Sequence, residues 1–281
     1  MNVSDTKEEL WRQRLNTSKE LFQWRVLAAS VRGKSHERAG QLCQDAHYWE
    51  TLPEGILISA VADGAGSAVL GKVGAIVAAQ TAVETICSQE TKLRSLINQS
   101  QTLPLDREGW RVLLTNALEA AKIAVEAEAQ ACQMTARDLA TTLILVIATP
   151  GMIAAAQVGD GVAVASDLQG NLIPLTAPQY GEYINETTFI VSPNALATAQ
   201  IIVWHGTTTN VALLSDGLQM LALDMTEGKP YVPFFSPFFN FVAQATNEIE
   251  AKEQLVAFLR SPRTSDRADD DLTLFLATLV T

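Results

Sequence analysis

An α+β fold is predicted by the way the apolar runs are grouped. Strand-like segments come in adjacent pairs, as with TTLILVIAT and MIAAAQV on either side of Pro150-Gly151. Helical spacing is confined to two blocks, one from about Ala68 to Gln133 and one within Pro237 to Arg260. Strands and helices do not alternate one for one, so a βαβ repeat with its parallel sheet is not expected.

Residues 6–22 read as an amphipathic helix with many charges, an N-terminal extension added to a single domain spanning 23–281. QWRVLAASVRG, from Gln23, has strand character and opens that domain. The stretch from His36 to Tyr48 is polar and loop-like, and a buried strand follows at Ile56 to Ala62. Ala68 to Gln89 is rich in Ala and Val at helical spacing. After a break at Leu103-Pro104, a long helix runs from about Asp106 to Gln133, with Leu114, Leu118, Ala121 and Val125 at i, i+4, i+7 and i+11 forming one apolar stripe. Pro150-Gly151 turns a hairpin, VGDGVAV reads as a second one, and VAVAS extends the meander. Residues 174–198 are irregular and longer than most connections, which marks a functional loop. IIVWH and VALLS are strands, and LTLFLATLV closes the chain.

Composition narrows the function classes. Of 281 residues, 48% are hydrophobic and 18% charged, an ordinary balance for a folded protein. The net charge of −11, with no Lys/Arg cluster, argues against a nucleic-acid backbone as partner. Cys43, Cys87 and Cys132 stand singly, and His36, His47 and His205 are dispersed, so neither a disulfide framework nor a zinc motif fits. The first residues are charged where a signal peptide is apolar, and no apolar run reaches about 18 residues. A cytoplasmic location and no membrane partner are expected.

The most informative pattern is an apolar strand that runs into Asp-Gly. ILISAVAD ends at Asp63-Gly64, AAAQVGD at Asp160-Gly161 and VALLSD at Asp216-Gly217; Asp269-Asp270-Asp271 stands directly before LTLFLATLV. Converging carboxylates repel one another unless a cation lies between them, and an oxygen-only ligand set selects Mg²⁺ or Mn²⁺. Asp-Gly is also a good turn dipeptide, a reading that suits the apparent hairpin at Asp160. It suits Asp63 and Asp216 less, because helix-like segments follow them. A rival motif, GSAVLGK from Gly66 to Lys72, satisfies the first seven positions of a phosphate-binding P-loop. Its eighth position is Val73, which lacks the hydroxyl that such a loop uses on Mg²⁺. A glycine-eased turn followed by a helix with a surface lysine accounts for it.

Seven segments in order then resemble the metal-dependent type-2C serine/threonine protein phosphatases, in particular their bacterial branch. They are GKSHERAGQLCQDAH (Gly33 to His47), VADGAGSA (Val61 to Ala68), ATTL (Ala140 to Leu143), VGDG (Val158 to Gly161), GEYINET (Gly181 to Thr187), LLSDG (Leu213 to Gly217) and DDDLT (Asp269 to Thr273). The resemblance implies a central sandwich of two antiparallel sheets with helices outside each, and a two-metal site at one edge. By the same resemblance, Asp63 bridges both metals, the Gly64 carbonyl is a ligand of the second, and Asp216 and Asp270 complete the first. Asp45 holds water at the metals, and Asp160 either helps to hold a third, weaker metal or caps its turn. GEYINET resembles a flap beside the substrate cleft. Cations about 3.5–4 Å apart acidify a shared water and relieve charge on phosphoryl oxygens, so no Cys, Ser or Asp nucleophile is required.

Three positions depart from the family pattern. Ala65 stands where many eukaryotic members carry a candidate general-acid His. Gly40 stands where the usual Arg falls, leaving His36, slightly preferred, or Arg38 to anchor phosphate. Gln44 stands where some members have Glu. The expected activity is hydrolysis of phosphoserine and phosphothreonine in phosphorylated proteins, with Mg or Mn as cofactor. A catalytically silent binding domain and a small phosphate-ester hydrolase are the alternatives.

Overall fold

The protein is described by a computed structural model over residues 22–102, 106–179 and 187–280. The predicted helix over 6–22 lies outside the described residues save for Phe22. Of the GEYINET segment only Thr187 lies within them.

Twelve strands lie in two five-stranded antiparallel sheets and one short ribbon. The first sheet has the order β1-β12-β9-β6-β7, built from β1 (Gln23–Val31), β6 (Val162–Ser166), β7 (Leu172–Pro174), β9 (Asn210–Leu214) and β12 (Leu272–Val280). The second has the order β2-β3-β4-β5-β8, built from β2 (Ala46–Leu52), β3 (Ile56–Ala62), β4 (Leu143–Thr149), β5 (Met152–Val158) and β8 (Gln200–His205). β10 (Leu223–Asp224) and β11 (Lys229–Pro230) form the ribbon.

The central strands are apolar on both faces because both faces are covered. Val61, Ile144, Val146, Ala155, Leu213 and Phe275 fill the space between the sheets. On the outer face of the second sheet lie α2 (Gly71–Ser88), α3 (Glu90–Thr102) and α4 (Arg107–Ala131). The stripe Leu114, Leu118, Ala121 and Val125 on α4 is fully buried there, as its spacing predicts. On the outer face of the first sheet lie α7 (Val232–Gln244) and α8 (Glu248–Leu259), packed through Phe235, Phe239, Leu255 and Leu259. Shorter helices are α1 (Lys34–Ala39), α5 (Ala195–Thr198), α6 (Gln219–Ala222) and α9 (Pro262–Ser265).

Local expectations are met in part. The polar stretch from His36 takes in most of α1 and the start of β2, and Arg38 and Gln44 N hold it to Asp269 and Asp271 before β12. The helical run read over Ala68 to Gln89 forms as α2, and α3, which was not read, follows it. The block Pro237 to Arg260 holds α8 and the larger part of α7, which starts upstream at Val232 and has Pro237 inside it. The Asp160 turn is not a hairpin: β5 is already paired on both edges, with β4 and β8, so β6 crosses to the first sheet and pairs with β9. Gly159, at φ +111°, makes that exit, a conformation that side-chain-bearing residues seldom adopt. The Pro150-Gly151 hairpin forms as expected, with Thr149 opposite Met152. No described helix is long and apolar enough to cross a membrane.

Candidate metal centre

Strand register brings the acidic residues to one end of the sandwich. Ala46 pairs with Ala62, so Asp45 before β2 and Asp63 after β3 share one end of the second sheet. Leu214 pairs with both Leu274 and Val162, which places Asp216, Asp270 and Asp160 at one end of the first. The two ends meet. Asp45 Oδ2 crosses between the sheets to accept from Ser215 Oγ and Thr273 Oγ1, each at 2.7 Å. The turns after Asp63 and Asp216 lead into α2 and into the short helical segment Asp216–Leu218.

Asp63 is held through its own backbone by the segment leading into β4. Thr142 N and Thr141 Oγ1 donate to the Asp63 carbonyl at 2.8 and 2.9 Å, and Asp63 N donates to Thr142 Oγ1 at 3.1 Å. This is the structural work of the ATTL motif. The Asp63 side chain is thereby left to meet the other carboxyls, those of Asp45, Asp216 and Asp270.

The electrostatics are those of crowded acids. Burial, then Asp45, Asp216 and Asp270, push the Asp63 carboxyl well above the usual carboxylate range. Burial raises Asp45 to about 6 against the opposing hydroxyls of Thr273 and Ser215. Burial, Asp160 and Asp270 raise Asp216 to about 7. Asp160 is raised too, by burial first, although Thr187 Oγ1 donates to its Oδ2. Asp270 is exposed, and its Oδ1 accepts from Asp271 N at 2.8 Å.

The residues present fit divalent cations. Asp45 Oδ1 and Asp216 Oδ1 are buried without a hydrogen-bond partner among the described residues. Buried acceptors of this kind are costly unless a donor or a cation meets them. The donors are all oxygen, which suits Mg²⁺ or Mn²⁺ rather than zinc or copper. Gly64 stands at the same place: its N donates to Gln44 O at 3.3 Å. The Gln44 amide, oriented nitrogen-first, donates to the Gly64 and Ala65 carbonyls at 3.3 and 2.9 Å.

His36 and Arg38, two residues apart and so on roughly opposite sides of α1, are placed differently. His36 is buried, with Nδ1 2.9 Å from Asp271 Oδ2. Arg38 is exposed and pairs with Asp269 at 2.9 Å. Three participants escaped the sequence reading. Ser215 and Thr273, which orient Asp45, stand inside the LLSDG and DDDLT motifs, and that position was their only signal. Lys72, read as a surface lysine, is half-buried and donates to the Asp45 carbonyl at 2.5 Å. Cys43 is no nucleophile: burial, with Asp45 and Asp271 beside it, pushes its thiol up to about 12.

Comparison with known proteins bears on the fold and the family. The family model described as Protein phosphatase 2C matches residues 32–260, leaving the Asp269–Thr273 segment outside the match. The chain is 38% identical over 260 residues to Serine/threonine-protein phosphatase 3 of Escherichia coli (strain K12), covering 90% of this chain and 98% of that one. Among solved structures, a bacterial serine phosphatase superposes at TM-score 0.60 with 13% identity, over 91% of this chain and 98% of the other. Serine/threonine phosphatase Stp1 from Staphylococcus aureus superposes at 0.59 with 12% identity, over 92% and 96%. The catalytic domain of the serine threonine protein phosphatase PstP, in complex with two manganese ions, superposes at 0.56 with 16% identity, over 92% and 100%. At such identities the structures speak for the fold, while the family match covers most of the sequence: the chain belongs to the protein phosphatase 2C family.

Proposed function

We propose that the protein hydrolyses phosphoserine and phosphothreonine in proteins, using Mg²⁺ or Mn²⁺ held by Asp63, the Gly64 carbonyl, Asp216 and Asp270. The observation that carries this reading is the gathering of Asp45, Asp63, Asp216 and Asp270 at one end of the sandwich by strand register, with Asp45 Oδ1 and Asp216 Oδ1 buried and unpartnered among the described residues. Divalent cations, when bound, supply charge neutralisation on the phosphoryl oxygens and an acidified water.

The chain's own residues do the rest. Asp63, with Asp45 on one side and Asp216 on the other, would be the carboxylate shared between the cations. Asp45, fixed by Ser215 and Thr273 through one oxygen, offers its unpartnered Oδ1 as an acceptor that orients water. Asp160 is a further cation ligand once Thr187 releases it. Arg38 anchors the substrate phosphate, because its guanidinium reaches solvent and its exposed pair with Asp269 is weak enough to exchange. His36, facing Asp271, shapes the same wall. Ala65 supplies no general acid, so the leaving group takes its proton from elsewhere. The substrates are phosphorylated proteins of a reducing cytoplasm, a setting supported by three unpaired cysteines; the acidic balance disfavours nucleic acid. Residues 23–281 form the catalytic domain.

The test is hydrolysis of a phosphothreonine peptide with Mn²⁺, with and without a chelator. Chelation is expected to abolish turnover and added Mn²⁺ to restore it; chelator-insensitive turnover overturns the reading. A higher kcat/KM for para-nitrophenyl phosphate than for the peptide would point to small esters instead.

A further inference from the structure

Asp271 is 1% exposed and stands beside Asp270, yet its side chain faces the protein's own backbone. Its Oδ1 accepts from Gly33 N at 2.7 Å, and its Oδ2 accepts from Gln44 N at 2.5 Å, with His36 Nδ1 2.9 Å away. One carboxylate thus ties the loop before α1 and the strand entry at Gln44 to the start of β12, with the imidazole of α1 beside it. These segments lie in close contact: a Cβ on Gly33 would fall 2.2 Å from the Asp270 carbonyl oxygen. With both oxygens taken by N–H groups, Asp271 has little left to offer a cation.

Gln44 passes the constraint onward. Its carbonyl accepts from Gly64 N, its amide donates to the Gly64 and Ala65 carbonyls, and Asp45 follows it in the chain. Asp271 also orients Asp270 through its own N–H. We propose that Asp271 is the positioning residue of the metal centre, setting the Gly64 carbonyl, Asp45 and Asp270 through Gln44 and its own backbone without touching a cation. The proposal rests on the metal reading above. It predicts that loss of the clamp weakens cation binding rather than phosphate binding, as groups behind metal ligands characteristically do.

Asp271→Asn keeps the volume and one acceptor but turns an N–H toward Gln44 N. Titration of metal-free protein with Mn²⁺ by calorimetry, well below the melting temperature, should show about 10- to 100-fold weaker binding. At saturating Mn²⁺ the KM for a phosphothreonine peptide should stay within about twofold of the parent, since a tenfold change would amount to about 1.4 kcal/mol lost at the phosphate itself. A folded Asp271→Asn that binds Mn²⁺ like the parent overturns the proposal, and so does one whose only defect is a raised KM. If that variant does not fold, Asp271→Glu decides, because it keeps the charge but moves the carboxylate out of register with Gly33 N and Gln44 N: weaker Mn²⁺ binding supports the proposal and parental binding overturns it. Failure of the parent itself to bind Mn²⁺ would instead sink the metal reading.

Discussion

Asp63 has three carboxyl neighbours and a backbone already fastened by Thr141 and Thr142, so its side chain costs stability unless a cation offsets the repulsion. Asp63→Asn is therefore expected to abolish turnover while the metal-free protein melts higher. Relief of about 1 kcal/mol corresponds to roughly 2–4 °C for a chain of this size. Earlier melting of metal-free Asp63→Asn would show a structural residue. Asp216→Asn and Asp270→Asn should chiefly weaken Mn²⁺ binding in calorimetry. Arg38→Ala should raise KM for a phosphopeptide about 5- to 10-fold, or about 1 kcal/mol, and His36→Ala should raise it less while lowering the melting temperature. The reverse order would make His36 the anchor. Much of this site was legible because each carboxylate ends a recognisable apolar strand. Asp271, Ser215, Thr273 and Lys72 were not, because a side chain that only holds another residue in place leaves no spacing rule to find.

At the scale of elements, strands apolar on both faces explain both what could be read and what could not. Continuous apolar runs announce buried strands, but without alternation nothing tells which sheet receives them, and so the turn at Asp160 looked like a hairpin. Helix α4 was legible because one of its sides is solvated; α1 was not, since six residues, five of them polar, before Gly40 carry no apolar period. The short lead into β4 carries the sharpest element-level prediction. Thr142→Val keeps the shape but leaves Asp63 N without its acceptor, at a cost of about 1–3 kcal/mol, and should also weaken Mn²⁺ binding because Asp63 is no longer held. Leu118→Ala on α4 should cost about 2–5 kcal/mol through its cavity and leave Mn²⁺ affinity unchanged. Urea unfolding paired with Mn²⁺ titration separates the two, and equal metal binding in both variants would count against the strand's role.

Across the whole molecule, two sheets that could each close off solvent at this end instead bring their acids together, so the metal-free protein is tuned by pH. Asp216 is raised to about 7 and Asp45 to about 6, both above the ordinary carboxylate value of about 3.9. The native state therefore holds protons that the unfolded chain has released, and stability present at low pH is lost as pH rises through these values. His47 acts in the opposite sense: burial lowers it to about 4, so its contribution grows up to its unfolded value near 6.5 and is constant above. The window from about pH 6.5 to 8 thus isolates the carboxylates, Asp216 above all. The melting temperature of metal-free protein should fall across that window, and Asp216→Asn should flatten the fall. With saturating Mn²⁺ the slope should lessen or reverse, because cation binding needs the deprotonated carboxylates and stabilises only the folded state. A metal-free melting temperature that is constant or rising from pH 6.5 to 8, in parent and variant alike, would show that the five acids do not share one electrostatic site.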